Sequence, residues 1–159
     1  MTIHLIRHGK AGDRHEADPN DHRRHLSAAG RAQADRIAAL LCELPIVRIL
    51  SSSADRCVET VTPLAEAVGL DVEIHAELFE GVPLERSWAL LESVIRSVDG
   101  DSHAVLCSHG DIIPDLVRRA QGRGAEISGP TGWSKGSVWT LECAGLEIVR
   151  ASYATVPAD

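Results

Sequence analysis

Short apolar segments alternate with longer segments of helical periodicity along nearly the whole of this 159-residue chain. The apolar segments cover residues 3–6, 46–50, 71–74, 104–107, 137–141 and 146–153, and the helical patterns cover 28–44, 54–68, 84–98 and 111–121. This alternation predicts an α/β fold: a three-layer sandwich in which a mostly parallel sheet carries helices on both faces. A turn at Ala144-Gly145 joins the last two strands, which we expect to form an antiparallel edge. Without a linker or repeat, one domain over 1–159 is expected.

Two of the predicted strands end in nearly the same way. The first delivers Arg7-His8-Gly9, and the strand at 104–107 delivers Ser108-His109-Gly110. In open α/β sheets, ligands bind outside the carboxyl ends of the strands. If these two strands are neighbours, the two histidines share one pocket, and each following glycine lets the backbone approach a ligand closely. The sequence therefore predicts a site built around His8 and His109.

A third strand end adds positive charge to this predicted site. The strand at 46–50 is followed by Ser51-Ser52-Ser53, and Arg56 lies in the first turn of the next helix. Arg7 and Arg56 could each bind a phosphoryl group through two parallel hydrogen bonds, a geometry that lysine does not offer. The helix predicted after His109 also points free N–H groups at the same place. These features indicate a binding site for an anion such as phosphate.

The overall charge and the cysteines limit the classes of partner. The formal net charge is −7, which argues against a nucleic-acid or anionic membrane surface but not against a locally positive pocket. No apolar run approaches the ~18 residues of a membrane span, and the charged N-terminus is unlike a signal peptide. The four cysteines are widely spaced and form no C-x-x-C pair. We expect a cytoplasmic protein that binds neither nucleic acid nor membrane.

Together these motifs resemble the histidine phosphatase superfamily, also called phosphoglycerate mutase-like. The resemblance rests on Arg7-His8-Gly9, on the Ser52-x-x-x-Arg56-x-x-x-Thr60 spacing and on Ser108-His109-Gly110, in the family's order along nearly the whole chain. It implies the phosphoglycerate mutase-like fold and a phosphatase that forms a phosphohistidine intermediate on His8. It implies no metal and no other cofactor.

Within the superfamily, the short length is similar to the SixA branch of phosphohistidine phosphatases. The segment 24–30 is similar to that branch's Arg-Pro-Leu-Ser/Thr-x-x-Gly, with His25 in place of proline. Segments 113–116 and 135–139 are similar to the histidine phosphatase domain fused to MutT-type Nudix hydrolases in actinobacteria. The implied substrate is a phosphoprotein or a phosphorylated small molecule, which leaves phosphohistidine proteins, nucleotides and other metabolites open.

The resemblance also suggests roles for individual residues. His8, in its neutral form, attacks phosphorus, while Arg7, Arg56 and a protonated His109 stabilise the charge on the phosphoryl oxygens. Glu80 lies where the family often places the general acid, although Glu77 or a water could serve. Two competing functions stay open: a non-catalytic phosphate-binding module and a metal-dependent hydrolase.

The remaining candidates are weaker. Arg24 is expected to line the entrance of the pocket, and Gly9, Gly110 and Ser108 to contact the substrate, although the Ser108 hydroxyl could equally cap its strand. For Ser52 we favour a structural role, and Lys135 receives no assignment. The polar loop also carries histidines whose spacing matches no structural zinc site, so we expect them to be solvated; they are His15, His22 and His25.

Overall fold

Seven strands form one sheet in this computed structural model, which describes residues 1–14 and 18–156. The strands are β1 (Thr2–Arg7), β2 (Ile46–Ser51), β3 (Val72–Ile74), β4 (His103–Ser108), β5 (Glu126–Ser128), β6 (Val138–Ala144) and β7 (Glu147–Ala154). The α-helices are α1 (Ala28–Leu41), α2 (Asp55–Val68), α3 (Leu84–Ser97) and α4 (Ile112–Gly122). The predicted mostly parallel sheet is confirmed, with the strand order β3-β2-β4-β1-β6-β7-β5.

The antiparallel part of the sheet differs from the expectation. Strand β6 runs antiparallel to both of its neighbours, β1 and β7, and it lies inside the sheet. The sheet continues beyond it because β5 pairs in parallel with β7 and forms the edge. Strand β5 was not predicted, since three residues are too few to show an alternating pattern.

The core has two halves, one on each face of the sheet. Ile3, Leu5 and Leu106 belong to a buried cluster with the apolar residues of α3 and α4. Ile6 and Val105 belong to the opposite cluster, which contains the apolar residues of α1 and α2. This alternation along β1 and β4 is the pattern of strands that are buried on both faces. The predicted three-layer sandwich is therefore confirmed.

Helix boundaries follow the local signals in the sequence. The Ser27 side chain accepts a hydrogen bond from the Gly30 amide at 3.2 Å and caps α1, as predicted. Helix α2 ends at Gly69, which adopts a positive φ of 73°. Helix α1 stops at Leu41 and not at 44, because the residue before Pro45 avoids the helical conformation. No helix in the described ranges is long and apolar enough to cross a membrane.

Strands β1 and β4 are direct neighbours, which decides where the predicted site lies. They pair in parallel with Arg7 opposite Ser108. The pairing continues one residue further, since the His8 amide donates to the Ser108 carbonyl oxygen at 3.1 Å. Both strand ends therefore deliver their histidines to the same edge of the sheet.

Candidate active site

A cavity of about 440 Å³ opens at the carboxyl ends of β1 and β4. Among the described residues, its walls contain seven of the predicted site residues: Arg7, His8, Arg24, Arg56, Glu80, His109 and Gly110. Three further side chains complete the lining: Arg14, Asp111 and Lys135. The predicted residues, from Arg7 to Gly110, are up to 103 positions apart in the chain and converge on one space, as the strand-end motifs predicted.

His8 is buried and its ring is fixed by its own backbone. Its Nδ1 donates to the Gly9 carbonyl oxygen at 2.8 Å, so the proton is on Nδ1 and Nε2 carries a lone pair. Burial is the main reason that the pKa of His8 is lowered to about 4, and the charges of Arg56 and Arg7 lower it further. At neutral pH this imidazole is an uncharged nucleophile whose Nε2 needs no deprotonation.

His109 faces His8, and its ionisation state corrects our expectation. The two ring centroids are 5.4 Å apart in an edge-to-face arrangement. The pKa of His109 is lowered to about 2, mainly by burial and also by His8 and the charge of Arg56. The expected protonated His109 is therefore wrong for this environment, because sequence reasoning could not foresee how completely the ring is buried among other cations.

The hydrogen bonds of His109 agree with a neutral ring. Arg56 Nη2 lies 3.4 Å from His109 Nδ1, and a guanidinium has only donors, so Nδ1 accepts. His109 Nε2 lies 2.8 Å from Ser52 Oγ and therefore carries the proton. Cys57 Sγ also contacts Nε2, at 3.6 Å. Ser52 thus has the structural role that we favoured for it, in fixing the orientation of His109.

Arg56 is the most buried charge of the site, with 1% of its side chain exposed. Its guanidinium donates to Glu80 Oε1 at 3.1 Å and to the Asp21 carbonyl oxygen at 3.0 Å, and it lies 3.5 Å from Asp21 Oδ2. Arg56 Nε is buried and has no hydrogen-bond partner in the described part of the chain. An unpaired buried N–H is costly, and an anionic oxygen is the partner that satisfies it best.

Arg7 presents a second, half-buried guanidinium to the same cavity. One of its terminal nitrogens donates to the Trp133 carbonyl oxygen at 2.5 Å, and its Nε has no partner within residues 1–14 and 18–156. Gly110 makes room for this group: an added Cβ at position 110 would lie 2.7 Å from Arg7 Cζ. Gly110 is therefore required for the close approach of Arg7, which explains the glycine after the second histidine.

We expect Gly110→Ala to lower kcat/KM for a phosphomonoester about tenfold or more, because the new methyl group displaces the Arg7 guanidinium. Steady-state kinetics with p-nitrophenyl phosphate would measure this effect. Gly122→Ala is the matched control, since a Cβ at position 122 meets nothing within 4 Å. Equal kinetics of the two variants would contradict the role assigned to Gly110.

Gly9 and Ser108 are close to the site but are absent from the cavity lining. The Gly9 amide donates to Thr60 Oγ1 at 2.9 Å, which ties the loop after β1 to α2. The Ser108 hydroxyl donates to the Leu78 carbonyl oxygen at 2.6 Å. Because their donors are used by the protein, we interpret both residues as supports of the site.

Glu80 is the candidate general acid that lies at the cavity. Glu80 lies between Arg56 and Arg14, whose Nη2 is 3.7 Å from Glu80 Oε2. The alternative acid, Glu77, is absent from the lining, and its nearest ion-pair partner is His75 at 3.9 Å. Glu80 is thus the better placed of the two candidates for proton transfer.

Asp21 is a site residue that sequence reasoning missed. Its side chain accepts from Arg24 Nε at 3.1 Å, and its backbone carbonyl binds Arg56. Hydrogen bonding with Arg24 and the positive charges of Arg24 and Arg56 hold the pKa of Asp21 below its usual value, although partial burial opposes this. The residue lies in a polar loop without periodicity, so no local signal separated it from other loop acids.

The histidines of that loop do not form a metal site within the described residues. His25 pairs with Glu59 at 2.6 Å and is exposed, and His22 is exposed as well. His15 lies outside the described ranges.

Comparison with protein families relates this geometry to known proteins. The family model of the histidine phosphatase superfamily, branch 1, matches residues 3–81, which contain Arg7, His8, Arg56 and Glu80. The chain belongs to the histidine phosphatase superfamily. The superfamily match stops before β4, and the structure supplies the second half of the site by pairing β4 with β1.

Two curated relatives extend the comparison. The 8-oxo-(d)GTP phosphatase of Mycolicibacterium smegmatis is 32% identical over 160 residues, which cover 99% of this chain and 49% of that protein. An uncharacterized protein of Mycobacterium tuberculosis is 35% identical over 82 residues, covering 49% of this chain and 39% of that protein. The chain therefore spans half or less of the length of each of these relatives.

Solved structures of the superfamily share the fold. The protein histidine phosphatase SixA, in complex with tungstate, superposes with a TM-score of 0.74 at 19% identity, covering 97% of this chain and 94% of SixA. A mycobacterial glucosyl-3-phosphoglycerate phosphatase gives a TM-score of 0.75 at 21% identity, with 99% of each chain covered. At these identities the likeness establishes the phosphoglycerate mutase-like fold alone.

Proposed function

We propose that this chain is a phosphatase that hydrolyses a phosphomonoester or phosphoramidate through a phosphohistidine intermediate on His8. The observation that carries the proposal is the geometry of His8: a buried, neutral imidazole with Nδ1 bound to its own backbone and Nε2 left as the nucleophilic nitrogen. Arg7 and Arg56 border the same cavity, and each has a buried Nε without a partner in the described chain. Such a site suits a tetrahedral anion that accepts hydrogen bonds from these N–H groups.

In the first step, the lone pair of His8 Nε2 forms a bond to phosphorus while the bond from phosphorus to the leaving oxygen or nitrogen breaks. A proton from solvent passes through Glu80 to the leaving atom, so that the product leaves as a neutral alcohol or amine group. Arg7 and Arg56 stabilise the charge on the three phosphoryl oxygens, which is the main requirement of phosphoryl transfer. No metal ion is needed in this scheme.

In the second step, water attacks the phosphorus of phosphohistidine and the N–P bond breaks. The Glu80 carboxylate takes a proton from the attacking water, and His8 recovers its lone pair as orthophosphate leaves. His109 is a neutral ring in this scheme. Its Nε2 donates to Ser52 and its Nδ1 accepts from Arg56, so we assign it the role of orienting Arg56 at the phosphoryl site.

The proposal predicts activity that does not depend on metal ions. We expect p-nitrophenyl phosphate to be hydrolysed at the same rate with and without EDTA, because the cations of the site are side chains. Loss of activity in chelator with recovery on adding zinc would favour the metal-dependent hydrolase. Binding of orthophosphate without turnover would favour the non-catalytic module.

The pH dependence follows from the lowered pKa of His8. A histidine with its ordinary pKa of about 6.5 would be protonated, and lost as a nucleophile, below that pH. Because the pKa of His8 is lowered to about 4, the nucleophile stays uncharged down to about pH 5 and is lost only below that. A profile of kcat/KM against pH, taken with two phosphomonoesters of different acidity, checks this. An acid limb near pH 6.5 that does not move with the substrate would contradict it.

The substrate class has one specific indication. The relative of which this chain matches about half is named an 8-oxo-(d)GTP phosphatase, which favours a nucleotide substrate as the second candidate beside a phosphohistidine protein. A panel of phosphohistidine peptides, nucleotides and sugar phosphates would separate these classes by kcat/KM.

We also propose that residues 1–159 act as one domain in the cytoplasm. The four cysteines, which are all free thiols, support the location.

A further inference from the structure

The cavity is larger and more positively charged than one phosphoryl group requires. Its volume of about 440 Å³ falls in the range of sites for whole small molecules. Such sites are usually lined by apolar and aromatic side chains, yet no apolar side chain is among the described lining residues. Five cationic residues face two carboxylates in this wall: Arg7, Arg14, Arg24, Arg56, Lys135, Glu80 and Asp111. The wall therefore carries more positive charge than its own carboxylates balance.

The carboxylates of the site leave two of these cations uncompensated. Glu80 pairs with Arg56 and Arg14, and Asp21, behind the wall, pairs with Arg24 and Arg56. Within the described ranges, no carboxylate lies within ion-pair distance of Arg7 or Lys135. Arg7 is half-buried beneath Gly110 and serves the transferred phosphoryl group. Lys135 is exposed at the rim and has no use in the mechanism above.

The backbone of Lys135 is held directly beside the nucleophile. The amide of the next residue, Gly136, donates to the carbonyl oxygens of Arg7 and His8 at 3.1 and 3.0 Å. The Lys135 carbonyl accepts from Gln33 Nε2 at 3.1 Å. Gly136 has a positive φ of 75°, a conformation that fits this tight connection and that other residues rarely adopt. The backbone of this segment is thus fixed beside the phosphoryl site, and the Lys135 side chain lines the same cavity.

The electrostatic environment of Lys135 agrees with a role in anion binding. Desolvation lowers its pKa, and the positive charges of Arg7 and Arg24 lower it further. A cation placed near other cations costs free energy, and a bound anion between them removes that cost.

We infer that Lys135 binds a second phosphate adjacent to the transferred phosphoryl group, so that the preferred substrate is an organic diphosphate. The inference rests on the proposed function, because it assumes that the group beside His8 is the one transferred. A pyrophosphate bridge keeps the two phosphates one oxygen apart, and Lys135 and His8 line the same cavity. The terminal phosphate is removed and the product is the organic monophosphate.

Two matched substrates test this inference: phenyl phosphate and phenyl diphosphate. For the wild-type chain, we expect kcat/KM for phosphate release to be at least about tenfold higher with phenyl diphosphate than with phenyl phosphate. Lys135→Ala is expected to reduce this preference about tenfold, mainly through KM for the diphosphate. Arg150→Ala is the control, since it also removes one positive charge but from an exposed residue that does not line the cavity; it should leave the preference intact. Calorimetry with pyrophosphate and orthophosphate, which needs no turnover, should show the same order of affinities.

The outcomes separate this inference from the proposed function. Turnover of both substrates without a preference, or an equal loss for both in Lys135→Ala, would overturn the second phosphate site and leave the phosphatase standing. A preference for phosphoglycolate over phenyl diphosphate would overturn it too, because the second group would then be a carboxylate. Tighter binding of pyrophosphate that depends on Lys135, in a chain that hydrolyses neither substrate, would support the site and remove the proposed activity.

Discussion

Replacing His8 by alanine is expected to lower kcat/KM for p-nitrophenyl phosphate by about 10³-fold or more, because no other group offers a lone pair at the position of Nε2. His8 is the only one of the two facing rings whose Nδ1 is held by a backbone carbonyl, which leaves Nε2 unprotonated. His109 cannot replace it, since its Nε2 carries the proton that binds Ser52 and its Nδ1 accepts from Arg56.

His22→Ala is the matched control for this variant, because His22 is an exposed histidine of the loop that contributes Arg24 to the cavity. It should retain wild-type kinetics. Circular dichroism and thermal unfolding would verify that the His8→Ala chain is folded. Activity that survives in a folded His8→Ala chain would remove the nucleophile from the proposal.

Replacing Arg56 by alanine is expected to affect both activity and stability. The variant loses one of the two guanidinium groups that stabilise the transferred phosphoryl group, and we expect kcat/KM to fall by about 10²- to 10³-fold. It also removes the hydrogen bonds that Arg56 donates to Glu80 and to the Asp21 carbonyl oxygen, at a cost of about 2 kcal/mol in the free energy of unfolding. Enzyme kinetics and denaturant unfolding measure the two effects separately.

Arg56→Lys sharpens this test. A lysine keeps the positive charge but cannot bind Glu80, Asp21 and a phosphoryl oxygen with one planar group, so activity should stay well below that of the wild type. Arg119→Ala is the control, because Arg119 forms its ion pair with Glu85 at the surface, away from the cavity. It should cost less than about 1 kcal/mol and leave kcat/KM unchanged. Full activity in Arg56→Lys would contradict the assigned role.

Much of the fold was predictable because its signals are local. The run 104–107 is apolar throughout, as a strand buried on both faces requires, and it became β4 at the centre of the sheet. Ser27 marked the start of α1, and Gly69 marked the end of α2. The position of β6 inside the sheet was not predictable, because it depends on β7 and the short β5 packing beyond it.

The parts of the candidate site that depend on strand ends could be predicted from the sequence. The ionisation states, which depend on burial, could not. Two equivalent motifs on neighbouring parallel strands were enough to bring His8 and His109 together. The ionisation of His109 was not predictable, since its pKa is set by groups that only the folded chain brings near it. Asp21 was missed and Lys135 was left unassigned because both lie in segments whose position comes from a few long-range hydrogen bonds.

The phosphorylated intermediate is the central claim, and trapping it tests the claim most directly. The chain would be mixed with excess p-nitrophenyl phosphate, quenched in alkali during turnover, digested and sequenced by mass spectrometry, since phosphohistidine survives alkali and not acid. We expect phosphate on the peptide that contains His8, attached to Nε2. Phosphate on a different side chain, or steady turnover with His8 unmodified, would contradict the mechanism.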